Sequence, residues 1–140
     1  MHKLPPRSYM RLQWRLHRLV WNLTRGRLGR TVTGMPVLEL VTTGHRSGDP
    51  RSILITYVDT PSGPALAGTN AGSNRDPAWV TNLHVHPDAK VREGGQWREV
   101  RARFIDSDEW EGVWQQFLEH PGYGDYQKIL TRPIPIVVLE

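Results

Sequence analysis

Two β-rich runs, from Pro36 to Thr42 and from Ser52 to Val58, stand on either side of a short polar segment, and this arrangement most constrains the fold. Between them, Gly44, Gly48 and the Asp49-Pro50 step are turn-forming residues. The two runs are therefore predicted to pair as an antiparallel hairpin. A chain whose folded part begins in this way is predicted to be mainly β.

The loop of this hairpin carries positive charge as well as turn residues. Its cations and hydroxyls are His45, Arg46, Arg51, Thr42, Thr43 and Ser47. Planar guanidinium groups suit phosphate or carboxylate, and Gly44 and Gly48 would let backbone N–H groups face outward. An anion-binding loop and an ordinary solvated hairpin both remain open, because the spacing matches neither a Walker A loop nor a GxGxxG fingerprint.

The size of the chain bounds the fold and the chemistry. Its 140 residues suffice for one domain with its own core. It has no cysteine, which excludes a disulfide scaffold and a cysteine nucleophile, and no run of 18 apolar residues. We expect a cytoplasmic protein, with peripheral contact on the inner face of the plasma membrane as an alternative.

Positive charge is concentrated at the N-terminus. Residues 1–36 contain eight of the 18 lysines and arginines and none of the 14 acids, so the remainder has 10 minus 14, a net −4. A basic arm on an acidic domain could contact nucleic acid, anionic lipid or its own chain. Nucleic acid is disfavoured, because the arginines share a helix with leucines and are not interleaved with aromatic residues on a sheet.

Residues 8–24 have the periodicity of an amphipathic helix. The apolar stripe consists of Leu12, Leu16, Leu19, Val20 and Leu23. Arg7, Arg11, Arg15 and Arg18 occupy another arc, with Trp14 and Trp21 beside them. The leucine stripe is predicted to pack on the core of the domain, and the alternative is an interfacial helix on an anionic bilayer. A Gly- and Arg-rich linker follows over residues 24–34.

The remaining pattern is β with two interspersed helices. Further strands are predicted over residues 65–69, 89–93, 96–105 and 134–139, and helices over residues 78–84 and from Asp106 or Ser107 to Leu118. The fold is thus predicted as α+β and mainly β, a six-stranded antiparallel barrel with flanking helices and a basic amphipathic N-terminal helix. Residues 1–35 form the helix and linker, and residues 36–140 form the barrel domain.

A second glycine-bearing loop, residues 70–77, leads into the first of these helices. Asp76 is predicted to cap the helix and Pro77 to occupy its first position. The helix start then directs its N–H groups and partial positive charge back into the loop, which makes a second place suited to an anion. After the longer helix, residues 121–126 read as a glycine-rich segment that contains Tyr123 and Tyr126.

The side chains supply little reactive chemistry of their own. His84 and His86 have no carboxylate motif behind them, so no metal site is predicted, and there is no Gly-x-Ser-x-Gly elbow for acyl transfer. Two cationic loops, a helix start and an aromatic segment suit a phosphorylated cofactor that performs the reaction itself.

Four collinear blocks of sequence point to a known family. They are residues 44–51 (GHRSGDPR), 75–83 (RDPAWVTNL) and 87–91 (PDAKV), and Tyr126-Gln127 with residues 134–138 (IPIVV). On these blocks the chain resembles the deazaflavin-dependent nitroreductase family of actinobacteria, whose members are split β-barrels that use coenzyme F420. The resemblance covers residues 36–140 and implies a split β-barrel for them.

The resemblance also implies a site. The cofactor is F420, whose phosphate and polyglutamate tail form a polyanion, with FMN as the alternative. The implied cofactor-binding residues are His45, Arg46, Ser47, Gly48, Arg51, Ile53, Gly72, Ser73, Arg75, Pro77, Trp79 and Asn82. Tyr123 and Tyr126 would cover the substrate side of the ring, and these tyrosines, His120 or water would deliver a proton. Family members usually have Arg-Lys at His45-Arg46, and Thr56 and His120 replace tyrosines of some relatives.

The implied activity is transfer of hydride from reduced deazaflavin to a flat, electron-poor acceptor. A quinone, an activated alkene or a nitroaromatic would serve, and the N-terminal helix over residues 8–24 would suit a membrane-dissolved quinone resembling menaquinone. The alternative is a carrier of a flavin, a deazaflavin or a lipid that has the same fold but no activity. The sequence does not indicate an oligomeric state.

Overall fold

The computed structural model describes residues 7–23, 31–32 and 34–140 of the chain. In these residues eight antiparallel strand segments form one curled sheet, with four α-helices. The strands are β1 (Thr31–Val32), β2 (Met35–Thr43), β3 (Pro50–Thr56), β4 (Val58–Thr60), β5 (Gly63–Ala67), β6 (Asp88–Glu93), β7 (Gln96–Phe104) and β8 (Ile136–Leu139). The helices are α1 (Arg7–Leu23), α2 (Ala78–Val85), α3 (Ser107–Leu118) and α4 (Tyr123–Ile129). The predicted mainly-β α+β barrel with flanking helices is confirmed.

The strand order shows where the sheet departs from the six predicted strands. The order is β1-β2-β6-β7-β8-β5-β4, and β3 pairs with β2 outside this path. The sequence predicted one strand over residues 52–58, but the chain turns at Tyr57, whose N–H donates to the carbonyl of Pro36 at 3.1 Å. Consequently β3 pairs with β2, whereas β4 pairs with β5. This corner and the two-residue β1 account for eight strand segments where six were predicted.

The apolar core has two main parts. Inside the curled sheet, β2, β5, β6, β8 and α2 contribute Leu38, Leu40, Leu66, Val80, Leu83, Val91, Val137 and Leu139. On the other side of β5 and β8, helix α3 buries Val113, Trp114 and Phe117 against Ala65, Ile136 and Val138. The predicted apolar stripe of α3 is therefore the face that packs, as its 3.6-residue period indicates.

Strand β2 is buried on both faces. Leu38 and Leu40 point into the barrel core, whereas Val37 belongs to a separate cluster with Leu54 and Trp21 of α1. A strand covered on both faces loses the simple alternation of apolar and polar residues. Helix α1 therefore lies on the outer surface of β2 and β3.

The face of α1 that contacts the barrel is not the leucine stripe. Trp21 is fully buried and Trp14 packs beside it, whereas the five apolar stripe residues are between 43% exposed at Val20 and 75% exposed at Leu23. The prediction that the leucine stripe packs on the core is wrong, because the tryptophan arc offers a larger apolar surface and a hydrogen-bond donor.

Among the helices of the described residues, none has the length and apolar composition that a membrane span needs.

A buried carboxylate secures α1 to the barrel. Glu39 of β2 accepts hydrogen bonds from Trp21 Nε1 at 2.8 Å, from Ser52 Oγ at 2.7 Å and from Arg92 Nη2 at 2.8 Å. The guanidinium of Arg92 also lies over the rings of Trp21 and Trp97, 5.9 and 4.9 Å from their centroids. Burial alone would raise the pKa of Glu39, but these hydrogen bonds and the charge of Arg92 outweigh it and lower the pKa.

Two further local predictions are wrong. The glycine-rich segment after α3 contains helix α4, which begins after Gly122 in the left-handed conformation at φ +94°. Asp76 does not cap α2, whose N-cap is Pro77 and whose first residue is Ala78. The Asp76 carboxylate instead accepts a hydrogen bond from Arg132 Nη1 at 2.8 Å, a partner 56 residues away. Residues 24–30 and 33 of the predicted linker lie outside the described residues.

We expect Glu39→Gln to lower the free energy of unfolding by about 2 kcal/mol at pH 7, because three donors lose a charged acceptor. The lowered pKa means that this contribution is present above the ordinary glutamate pKa of about 4.3 and is lost as pH falls through the lower folded-state pKa. The gap between wild type and variant should therefore shrink in acid. Urea unfolding followed by tryptophan fluorescence at pH 7 and at lower pH measures it.

The exposed Glu99 of β7 provides the matched control. Glu99→Gln should leave the free energy of unfolding within about 0.5 kcal/mol of wild type at every pH. Equal effects of the two substitutions would contradict the role given to Glu39.

Candidate functional site

The loop between β2 and β3 is closed by its own hydrogen bonds. Gly44 N–H donates to the Asp49 carbonyl at 2.8 Å, and Gly48 N–H donates to the Gly44 carbonyl at 2.9 Å. Ser47 Oγ accepts from Asp49 N–H at 3.1 Å and from Arg51 Nη2 at 3.4 Å. The N–H groups of Gly44 and Gly48 are therefore used inside the loop. An anion here would meet the side chains of the loop.

Asn82 of α2 anchors this loop. Its side chain is buried, and its amide nitrogen donates to Thr42 Oγ1 at 3.0 Å. The amide oxygen then faces His45 and lies 2.9 Å from the backbone nitrogen and 2.7 Å from ring Nδ1. Because that oxygen is an acceptor, Nδ1 of the ring is the donor in this contact. Asn82 thus positions the loop and the imidazole together.

A cavity of about 550 Å³ lies between this loop and α2, and we call it the loop cavity. Its lining residues are Thr42, Gly44, His45, Arg46, Ser47, Pro50, Arg51, Ser52, Ile53, Ala78, Trp79 and Asn82. Three of them are cationic or can become so, and none of them is Asp or Glu. The loop cavity is therefore electropositive within a domain whose net charge is negative.

A second cavity, of about 650 Å³, continues from the first, and we call it the aromatic cavity. The two cavities share Ser52, Ile53, Ala78 and Trp79, so they form one groove along β3 and the start of α2. The walls of the aromatic cavity also include Met10, Trp14, Arg18, Leu54, Ile55, Thr56, Asn70, Ala71, Pro77, Tyr123 and Tyr126. The groove thus joins a cationic end to an end with aromatic and aliphatic walls.

The two tyrosines of α4 form one side of the aromatic cavity. Their rings meet edge to face at 6.0 Å, and the Tyr123 hydroxyl lies 2.9 Å from Thr56 Oγ1. Burial raises the pKa of Tyr123, partly opposed by the hydrogen bond to Thr56. Burial also raises the pKa of Tyr126. Both phenols therefore remain protonated as potential donors at neutral pH.

The structure brings together most of the predicted site residues. Those that line the groove are His45, Arg46, Ser47, Arg51, Ile53, Pro77, Trp79, Asn82, Tyr123 and Tyr126. Gly48 faces a different cleft, and Gly72, Ser73, Arg75 and His120 line neither cavity. Ser73 instead presents its carbonyl to Arg132, and the Arg75 carbonyl accepts from Asn70 Nδ2.

Sequence reasoning missed the contribution of α1 and of residues 70–71 to the groove. Met10, Trp14 and Arg18 project from α1 into the wall of the aromatic cavity, and Arg18 Nη2 donates to the Ser52 carbonyl at 3.0 Å. Periodicity identifies the tryptophan arc but does not show where on the barrel it lies. Asn70 and Ala71 have no sequence signal beyond their place in a polar loop.

A third cleft, also of about 650 Å³, differs from the groove in its charge. Its lining includes Asp88, Glu99 and Glu140 as well as Lys90 and Arg101. Carboxylates on its walls would repel a polyanion. The groove is therefore the better candidate for an anionic ligand.

Comparisons with known proteins show what this chain is similar to. A family model described as F420H(2)-dependent quinone reductase matches residues 13–140. The F420H(2)-dependent quinone reductase Rv1261c of Mycobacterium tuberculosis is 32% identical over 130 residues, which are 89% of this chain and 87% of that protein. A solved F420-H2 dependent reductase (FDR-A) is 28% identical with a TM-score of 0.68, and the match covers 75% of this chain and 94% of the other.

Proposed function

Because the chain belongs to the F420H(2)-dependent quinone reductase family, we propose that its groove binds reduced coenzyme F420 and that a quinone is the hydride acceptor. The chain is an F420H2-dependent reductase, and coenzyme F420 is its cofactor. The observation that carries the placement is the continuous groove, cationic at the β2–β3 loop and aromatic at α4. The acidic tail would lie at the first end and the ring at the second.

The residues present fit this cofactor. A phosphate and a polyglutamate tail together form a polyanion, and the loop cavity offers Arg46, Arg51 and the ring of His45, with no carboxylate on its walls. Arg46 and Arg51 are both exposed, so their guanidinium groups are free to turn toward an incoming anion. Trp79 is largely buried, lines both cavities and would offer a flat apolar surface where the tail meets the ring.

The bound coenzyme supplies a hydride from C5 of its ring, and the protein supplies orientation and a proton. Tyr126 holds a proton on its phenolic oxygen and lines the aromatic cavity. Tyr126 would then give its proton to the oxygen of the quinone that has received the hydride, which yields a hydroquinone, and water would reprotonate the phenolate. The Tyr123 hydroxyl is already hydrogen-bonded to Thr56, so Tyr123 would act as a wall for the ring and not as the proton donor.

The walls of the aromatic cavity favour a flat apolar acceptor. Ile53, Ile55 and Trp14 line it, and carboxylates are absent from its described lining. Activated alkenes and nitroaromatics share this shape, but a quinone is also the acceptor in the description of the family. A carrier without activity is the less favoured alternative, and titration of the reduced coenzyme with a quinone separates the two, because a carrier would leave it reduced.

Helix α1 connects this site to a surface that suits a membrane. One face of α1 forms a wall of the aromatic cavity through Met10, Trp14 and Arg18, while the leucine stripe on the opposite face is exposed. Exposed leucines beside an arginine arc are typical of helices that lie in the interface of an anionic bilayer. We therefore propose that α1 rests on the membrane and receives a menaquinone-like acceptor from it.

We expect coenzyme F420 to bind more tightly than FMN, and Arg51→Ala to weaken F420 binding about tenfold through loss of one charge-assisted contact. Titration calorimetry, supported by quenching of Trp79 fluorescence, measures both affinities. Arg98→Ala is the matched control, because Arg98 pairs with Glu93 on the β6–β7 hairpin and lines neither cavity. FMN binding equal to or tighter than F420 binding would contradict the expected preference for F420.

We expect Tyr126→Phe to lower kcat with a water-soluble quinone about 10²-fold, because a positioned proton donor is removed. The dissociation constant for F420 should stay unchanged. Since burial raises the pKa of Tyr126, the wild-type rate should show no loss of the donor near the ordinary tyrosine pKa of about 10. The rate of oxidation of the reduced coenzyme under turnover measures kcat. The control is Tyr9→Phe, because Tyr9 is an exposed residue of α1. An unchanged kcat would assign proton delivery to water.

We expect the protein to co-float with vesicles that contain phosphatidylglycerol and to bind much less to pure phosphatidylcholine. The double substitution Leu16→Glu and Leu19→Glu should reduce vesicle binding at least about tenfold, since two leucines can no longer enter the interface. Turnover of a water-soluble quinone should not change. Asn22→Glu adds a charge to an exposed position of the same helix on the arginine arc, outside the stripe, and should retain most of the binding. Equal flotation of both variants would contradict the membrane proposal.

A further inference from the structure

The loop that carries Asn70 and Ala71 has an unusual backbone. Asn70 and Ala71 have φ values of +46° and +51°, and Gly72 follows at +81°. Side chains make this left-handed region unfavourable, so two consecutive non-glycine residues remain there only when their surroundings hold them. Both residues line the aromatic cavity, and Asn70 also accepts a hydrogen bond from Arg7 of α1 at its carbonyl. We call residues 70–72 the strained corner.

A single largely buried side chain holds the loop on both sides of the strained corner. Arg132 follows α4, and its side chain is 14% exposed. Its Nη2 lies 2.9 Å from the Gly68 carbonyl, 3.2 Å from the Thr69 carbonyl and 3.0 Å from the Ser73 carbonyl. Its Nε donates to the same Ser73 carbonyl at 3.1 Å, and its Nη1 donates to Asp76.

The guanidinium therefore bridges the two ends of the corner. Carbonyls before it, at residues 68 and 69, and after it, at residue 73, converge on one planar group, and the carboxylate of Asp76 balances its charge. A lysine has three donors around one atom and cannot span these acceptors with the same geometry.

The same segment also fixes the corner against α4. The Thr131 N–H and hydroxyl both lie within 3.2 Å of Asn74 Oδ1. A Cβ placed on Gly72 would lie 2.6 Å from Cδ1 of Ile129, so this side chain would have to turn away, and the φ of +81° is the stronger reason for glycine there. The same Cβ would lie 3.4 Å from Cδ1 of Tyr126, so this tyrosine of α4 packs directly against the corner, and Tyr126 and residues 70–71 line one cavity.

We propose that Arg132 is a positioning residue for the ring-binding end of the groove, acting through the strained corner. This proposal rests on the proposed function, because it assigns the corner to the cavity that would hold the ring of F420. Arg132 itself lines neither the loop cavity nor the aromatic cavity, so its effect would pass through residues 70–71.

The test uses the full chain with Arg132→Met and Arg132→Lys. Both should raise the dissociation constant for F420 about tenfold, since the ring would meet a wall that is no longer held in place before binding. The Gly72 and Ser73 amides donate to the Thr69 and Asn70 carbonyls inside the loop, and their hydrogen exchange without cofactor should accelerate. In Arg132→Ala, added guanidinium ion at millimolar concentration should restore part of the affinity, whereas sodium chloride at equal ionic strength should not.

Arg103→Met is the matched control for stability. Arg103 makes charge-assisted bonds to Glu109 and Glu140 away from the groove, so its loss should lower the melting temperature and leave F420 affinity unchanged. Unchanged F420 binding in Arg132→Met, with normal binding in wild type, would overturn this proposal and leave the proposed function intact. Failure of wild type to bind F420 would overturn the cofactor placement and this proposal with it.

Discussion

The burial of β2 on both faces is the constraint on which the rest of the structure depends. Leu38 and Leu40 supply the inner core, whereas Glu39 on the outer face is satisfied only when Trp21, Ser52 and Arg92 are in place. A buried carboxylate without its partners is costly, so the outer face of this strand requires α1 to cover it. The position of α1 then sets one wall of the aromatic cavity. A core interaction and the shape of the groove are thus linked through a single strand.

The two ends of the groove differ in charge and in exposure to water. At the β2–β3 loop, exposed cations can neutralise an anion while they keep much of their hydration. At α4, the two phenols are desolvated and their pKa values are raised, so they remain neutral donors. A ligand with an acidic tail and a planar ring satisfies both ends in one orientation only. The local charge matters more than the net charge of residues 37–140, which is negative.

Local signals in the sequence predicted the barrel class, the loop and α3, but they could not identify partners across the chain. The hairpin and the amphipathic helices follow from turn residues and periodicity, and ten of the predicted site residues line one groove. The errors share a cause. Asp76 has the sequence position of a helix cap, but its carboxylate bonds to Arg132, which is 56 residues away. The leucine stripe has the spacing of a buried face, but the tryptophan arc is the face that is buried. Sequence periodicity shows that a helix has two faces and does not show which one the barrel selects.

The two ends of the groove are also held in different ways, and this has consequences for how each can vary. The β2–β3 loop is closed mainly by bonds between residues at most five apart, and Asn82 anchors it over a long range. The ring end depends on contacts between α1, residues 70–71, β3 and α4, which are distant in sequence. Substitutions far from the groove can therefore change the shape of the aromatic cavity while the β2–β3 loop keeps its conformation. In the proposed placement, this division would let a common cofactor grip coexist with different acceptors, because the loop that would hold the tail makes its internal bonds without α1 or α4.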